Sequence, residues 1–321
     1  MPTSTDPALI LYKNMIDPTK ITIVMPRSNP DIDGLACAFA YSELLVRTGY
    51  PSRAWMPTIS DPEAQYCIEA LASLSFCDTW RTDADSRYVL VDSSDQGGLP
   101  ESIDLARFVE VIDHRMFSTP DKVFPNATIQ LEPVGSAATL IAERYISSGL
   151  VPSAESGILL YGAIHSNTLG LKGDVTTVRD LSAEEWVKTN VAVPSDWLSR
   201  QFEARRSFFL KDLCTSVMSE SKRYALNSKM IAISQLEYSD AFLDIESGEL
   251  ERIFINDSNI SILNIVDLKS VRSKTIFKND VMSRRVASAL GGQKEGDWIL
   301  CDPAVLRKQI VKVLGASYGD D

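Results

Sequence analysis

Histidine is scarce, two residues in 321, so the places where the imidazoles fall carry weight. Five cysteines (Cys37, Cys67, Cys77, Cys214, Cys301) are odd in number and form no Cys-x-x-Cys pair, which excludes a zinc ribbon, a dithiol redox motif and a full disulfide framework. Buried free thiols in a reducing compartment are expected instead. Long apolar runs are also missing: stretches such as Ile158–Ile164 end far short of the roughly 20 residues a membrane helix needs. The first residues, Met1–Asp6, have neither the basic nor the apolar stretch of a secretory signal, so a cytoplasmic protein without a membrane partner is expected. Basic residues are in deficit, 32 Lys plus Arg against 43 Asp plus Glu for a net charge of −11. That balance argues against duplex nucleic acid, whose phosphates call for a basic face, but not against a small anion in a locally positive cleft.

What is present is an ordinary globular composition, 45% hydrophobic and 23% charged, in a chain long enough for two domains at roughly 100–200 residues each. Apolar, β-rich runs alternate with helical ones up to about Asp180. Strands are expected at Ile21–Met25, Arg87–Asp92 and Phe108–Asp113, and helices at Leu35–Val46, Gly135–Ile146, Ala154–His165 and Leu181–Lys188. This alternation predicts an α/β fold with a doubly wound, mainly parallel sheet, which binds ligands at the carboxyl ends of its strands. Residues 191–196 read as a linker. Beyond them a helix is expected at Trp197–Met218, strands at Met230–Ser234, Ile260–Val266 and Thr275–Phe277, and a last helix at Pro303–Leu314. That texture predicts a smaller C-terminal α+β domain.

Chemistry-bearing residues gather at the strand ends. Asn29-Pro30-Asp31-Ile32-Asp33-Gly34 joins the first strand to the first helix; its two carboxylates can converge on a divalent cation, or serve as a helix cap facing solvent. Asp92 ends the second strand and Asp113-His114-Arg115 the third. Acids at the ends of several parallel strands reach one edge of the sheet, and an imidazole among them can ligate Mn, Co or Zn. The other histidine lies in His165-Ser166-Asn167-Thr168, which could return side chains to that edge or simply cap a helix. Arg307-Lys308-Gln309 on the last helix can hold a phosphate, or form a solvated face.

In this order the segments resemble the DHH phosphoesterase superfamily, in particular the branch with a DHHA2-type C-terminal domain. That branch contains manganese-dependent (family II) inorganic pyrophosphatases, exopolyphosphatases and prune-like proteins. Asn29–Asp33 resembles the motif His-x-Asn-Pro-Asp-x-Asp, Asp92 the second motif and Asp113-His114-Arg115 the third, usually Asp-His-His. Gly162–Thr168 is similar to Gly-x-Ile-x-Ser-Asp-Thr, Ile231–Glu237 to the start of the DHHA2 sheet, and Val305–Val311 to a Ser-Arg-Lys-Lys-Gln phosphate clamp. The resemblance implies a DHH-type domain over 1–190, the linker at 191–196 acting as a hinge, and a DHHA2-like clamp domain over 197–321. It further implies metal-dependent hydrolysis of phosphoanhydride bonds in pyrophosphate or polyphosphate, with Mn, or Co or Mg, at one or two ions per chain. Asp92, His114 and Arg115 take the catalytic roles, Asp113 orients His114, and Arg27, Arg115, Arg307 and Lys308 contact substrate phosphate. Relatives of this type can dimerise through an edge strand, so a homodimer is compatible with it.

Two departures bear on the metals. The first-motif His is Arg27 and the fourth-motif acid is Asn167, and the resemblance places both losses on the same ion. That site would keep Asp31 and Asp92 with Asn167 as a weak neutral ligand, while the other keeps Asp33, Asp92 and His114. One acid lost and one guanidinium gained oppose a second cation, so one well-held metal is expected. A lesser alternative makes His165 a replacement ligand. Two other functions stay in view: a phosphate- or nucleotide-binding protein acting through partners, and a phosphodiesterase for small nucleotides.

Overall fold

A computed structural model describes residues 19–77, 79–80, 85–115, 119–226, 229–315 and 317–318. The chain forms two compact units that divide at Gln201/Phe202. Among the described residues no helix is long and apolar enough to cross a membrane.

The first unit is a parallel five-stranded sheet with the strand order β2-β1-β3-β4-β5. Its strands are β1 (Thr22–Met25), β2 (Ser52–Ala54), β3 (Arg87–Val91), β4 (Phe108–Asp113) and β5 (Thr128–Leu131). The principal helices are α1 (Ile32–Arg47), α2 (Pro62–Ala70), α3 (Ala137–Ser148), α4 (Ala154–Asn167) and α5 (Val178–Asn190). Strand side chains alternate between faces, and both faces are covered. Val24, Val89, Val91 and Ile112 pack with Leu35, Leu140, Ile141 and Leu160 of the helices, while Ile23, Met25, Tyr88, Leu90 and Val111 meet Phe108 and Phe124 on the other face. The chain leaves β1 for β2 on one side and returns to β3 on the other. The order therefore reverses between β1 and β3, the point at which an open α/β sheet forms a crevice at its carboxyl edge.

Local chemistry starts the helices. Asp31 caps α1, accepting from the backbone N–H groups of Asp33 and Gly34. Ser136 caps α3, Ser153 caps α4, and Thr177 with Asp180 forms a capping box at α5. The helix capped by Ser153 starts at Ala154 as expected, whereas the other three start two or three residues from their expected places.

The second unit begins within α6 (Trp197–Lys211), whose first turn belongs to the first unit: Trp197 is buried there, and Gln201 donates to Glu63 and to the Gly162 carbonyl. The single helix expected over Trp197–Met218 is two, because Asp212 caps a new one, α7 (Leu213–Ser219). A seven-stranded mixed sheet follows, ordered β10-β11-β9-β8-β7-β6-β12. It comprises β6 (Ser221–Leu226), β7 (Lys229–Tyr238), β8 (Ile262–Asp267), β9 (Arg272–Phe277), β10 (Gln293–Glu295), β11 (Trp298–Cys301) and β12 (Ser317–Tyr318). Only β7 and β8 pair in parallel. Helices α8 (Ala241–Glu246), α9 (Glu249–Asn256), α10 (Asp280–Leu290) and α11 (Arg307–Leu314) accompany it. The helix expected from Pro303 starts only at Arg307, because the amides of Ala304 and Val305 donate instead to Val271 and Ser273 of the β9 segment. Cys37, Cys67 and Cys301 are buried as expected; Cys77 is half-buried and Cys214 is exposed.

Candidate metal centre

At the carboxyl edge around the β1/β3 switch point, Asp33, Asp92 and His114 each offer one ligand atom, and the three atoms lie within 4.8 Å of one another. Asp33 sits in the first turn of α1, Asp92 directly after β3, and His114 directly after β4. Asp92 has φ of 52°, a left-handed backbone uncommon for a residue with a side chain and typical of functional sites. Gly34 admits the loop: a Cβ there would lie 2.8 Å from Cβ of Pro30 and 3.6 Å from the Asp92 carboxylate.

The cluster is rigidly held. The Nδ1 of His114 lies 3.0 Å from the carbonyl of Val134, which can only accept, so Nδ1 carries the proton and Nε2 is the basic nitrogen, 3.6 Å from Asp92 Oδ1. Asp33 is fully buried. It accepts from Ser136 Oγ (2.9 Å), from the amides of Ala137 and Ala138 (both 2.8 Å) and from Asn167 Nδ2 (2.5 Å). Arg115 Nη2 donates to Asp92 twice, to Oδ1 (2.7 Å) and to the carbonyl (2.8 Å).

Burial is the main cause of the electrostatics. It pushes the Asp92 carboxyl well above the usual range; Asp31 and Asp33 add to the rise and Arg115 opposes it. Asp33 is raised as well, again by burial, against the pull of His114 and the helix amides. Burial works against the charge of Arg115 too, yet Asp92 and Asp113 outweigh it and hold the guanidinium protonated. Buried carboxylates under this strain favour a cation between them. The donor set, two carboxylate oxygens and one imidazole nitrogen, suits a divalent ion such as Mn or Co.

The remaining residues singled out by sequence fall differently. Asp31 is a helix cap at the border of the cluster and not one of its three ligand residues. Asn167, expected with Asp31 at the depleted site, instead donates to Asp33, so that change falls on the site that keeps its ligands. Because a carboxylate accepts, the amide turns its nitrogen toward Asp33 in this arrangement. His165 is not a replacement ligand: its Nε2 is 3.2 Å from Glu184, and its ring packs on Tyr161. On helix α4 residues two apart point to nearly opposite sides, which separates His165 from Asn167. Arg27 is exposed on the loop after β1. The carboxylate of Asp113 accepts from Ser94 Oγ (2.7 Å) and the His114 amide (2.8 Å), not from the imidazole; Val134 orients that ring. In the second unit Arg307 Nη1 donates to the Glu220 carbonyl (2.7 Å), and Lys308 is exposed.

Sequence reading missed Ser136 and Val134. Ser136 was visible as a cap before Ala-Ala-Thr-Leu; Val134 acts through its carbonyl, which no residue type reveals.

No family model matches the chain. It is similar to the probable manganese-dependent inorganic pyrophosphatase of Clostridium acetobutylicum, 25% identical over 221 residues, 68% of this chain and 71% of that protein. The protein of the same name from Shouchella clausii is 27% identical over 253 residues, covering 75% of this chain and 79% of its own. Among solved structures, a Methanococcus jannaschii protein provisionally named a family II inorganic pyrophosphatase superposes with a TM-score of 0.60 at 19% identity, over 91% of this chain and 98% of that one. That likeness shows a shared fold.

Proposed function

We propose that this chain, by sequence and fold a distant relative of the manganese-dependent inorganic pyrophosphatases in the DHH/DHHA2 superfamily, hydrolyses phosphoanhydride bonds of a small phosphorylated substrate, pyrophosphate or short polyphosphate. One observation carries the proposal: Asp33, Asp92 and His114 converge at the topological switch point of a parallel sheet. These three residues would hold one divalent ion, manganese in the first instance. Such an ion supplies Lewis-acid polarisation of phosphoryl oxygens and lowers the pKa of water. Asp92 would link it to Arg115, whose partly exposed guanidinium neutralises Asp92 and, in this scheme, also meets phosphate oxygens. Val134 holds the imidazole of His114 through Nδ1, which leaves Nε2 as the nitrogen that faces the ion site. Arg307 and Lys308 are the second unit's phosphate-binding cations in this scheme.

The test is phosphate release from pyrophosphate, short polyphosphate and a dinucleotide with Mn, Co or Mg, alongside metal content per chain. Metal-dependent turnover of pyrophosphate or polyphosphate that His114→Ala abolishes is the expected result. A second function, phosphate binding without turnover, is favoured by the Arg115–Asp92 ion pair, which already offsets charge that a second cation would offset. Tight phosphate binding with no release from any of the substrates would establish it and overturn hydrolysis.

A further inference from the structure

We propose that Asp180 is a positioning residue for the metal centre, acting through the one turn that orients both His114 and Asp33. The proposal rests on the metal-site function above and adds a residue that touches none of the three ligands.

Residues 134–138 serve both ligand side chains at once. Val134 presents its carbonyl to the imidazole of His114, and Ser136, Ala137 and Ala138 present three donors to Asp33. Gly135 stands between them, and its amide is held by both oxygens of Asp180, at 3.1 and 2.9 Å. The same carboxylate accepts from Thr139 Oγ1 on the first turn of α3 (2.6 Å) and from the amide and hydroxyl of Thr177 (2.7 Å each). A capping box at α5 needs only the Thr177 contacts. The bonds to Gly135 and Thr139 cross to another element and fix the turn from behind. No side chain can stand there: a Cβ on Gly135 would lie 2.5 Å from Thr168 Cγ2 and 3.0 Å from Asp180 Oδ2. Asp180 is fully buried, so water does not replace it. The chain of contact runs from Asp180 to the Gly135 amide, to the Val134 carbonyl and the 136–138 donors, and so to the two ligands. Loss of the carboxylate frees the turn, and the imidazole loses the acceptor that selects its tautomer.

Asp180→Asn keeps the shape but puts an NH2 group against N–H and O–H donors. The matched control is Glu43→Gln. Glu43, near the far end of α1, likewise holds a helix start, accepting from Ser153 N, Ser153 Oγ and Ser156 Oγ, with no contact to the 134–138 turn. Two readouts are taken on the full chain. In metal-free protein, long-range proton–nitrogen spectra resolve the two imidazoles; in titrations, Mn affinity is measured directly. Wild type and Glu43→Gln are expected to show His114 in the single Nδ1–H tautomer and to bind Mn within about twofold of each other, whereas Asp180→Asn shows a tautomer mixture at His114, an unchanged His165, and Mn affinity about 10–100-fold weaker. Thr139→Val, which leaves Asp180 charged, is expected to move both readouts the same way by a smaller amount, and decides the matter if Asp180→Asn does not fold. An unchanged His114 signal in folded Asp180→Asn or, failing that, in Thr139→Val overturns the proposal. So does a Glu43→Gln protein that loses Mn affinity to the same extent, since the effect would then be one of stability. A wild-type chain that binds no Mn overturns the function proposed above, while the metal-free spectra still decide the role of Asp180.

Discussion

Asn167 on Asp33 is the contact at which this site departs most from a simple carboxylate cage. The amide donates where an acid would repel, so it stabilises the charged Asp33 in the absence of metal. Asn167→Asp reverses this effect. It places a second carboxylate against a buried one, which is expected to destabilise the metal-free protein by about 1–3 kcal/mol and to enlarge the rise in melting temperature on adding Mn. Thermal melts with and without Mn check this; a variant whose metal-free melting point and Mn response both match wild type contradicts it. Arg27→His, made alone, is expected to leave Mn affinity at Asp33, Asp92 and His114 unchanged in a titration, because Arg27 is exposed on its loop. At this scale the sequence was legible where side chains meet at the sheet edge: Asp33, Asp92 and His114 were named from strand-end positions and motif order, and the structure brings them together. Asn167 was named as well, but its contact with Asp33 was not foreseen, because a motif says which residues approach the edge and not which of two neighbouring carboxylates they face.

Among the elements, helix starts do most to position the site, and the carboxylates that hold them have a defined pH dependence. Glu43 is half-buried; burial raises its pKa, but bonds from Ser153 and Ser156 outweigh that, and the carboxyl lies below its ordinary value. A lowered folded-state pKa contributes stability that is full above the unfolded value near 4.5 and is lost as pH falls through the folded value. Glu43→Gln is therefore expected to cost about 1–2 kcal/mol at neutral pH and progressively less as the buffer is acidified below the ordinary glutamate range, measured by denaturant melts at several pH values. A penalty independent of pH would show that charge plays no part there. Close helix packing makes a second demand. A Cβ on Gly157 of α4 would lie 2.5 Å from Val191 Cγ2, so Gly157→Ala is expected to lower stability by about 1–3 kcal/mol in the same melts. Element types in the first unit were readable because buried parallel strands and amphipathic helices differ in period. The short edge strand β2, half-buried β5 and the helix start at Val178 were not, since three or four residues carry little periodicity and caps act through geometry.

For the whole molecule, the acidic charge and the division into two units follow from composition and length, and the parallel order of the first sheet follows from strand–helix alternation. The second sheet was only partly foreseen. Three of its pairings, β7 with β8, β9 with β11 and β6 with β12, join segments far apart in the chain, and such pairings leave no local trace in the sequence. The three residues of the candidate metal centre all belong to the first unit. Native mass spectrometry of the full chain, equilibrated with Mn, tests it most directly: one tightly retained ion per wild-type chain and none in folded His114→Ala is the predicted result. A wild-type chain that retains no ion, or a His114→Ala chain that retains it as firmly as wild type, would contradict it.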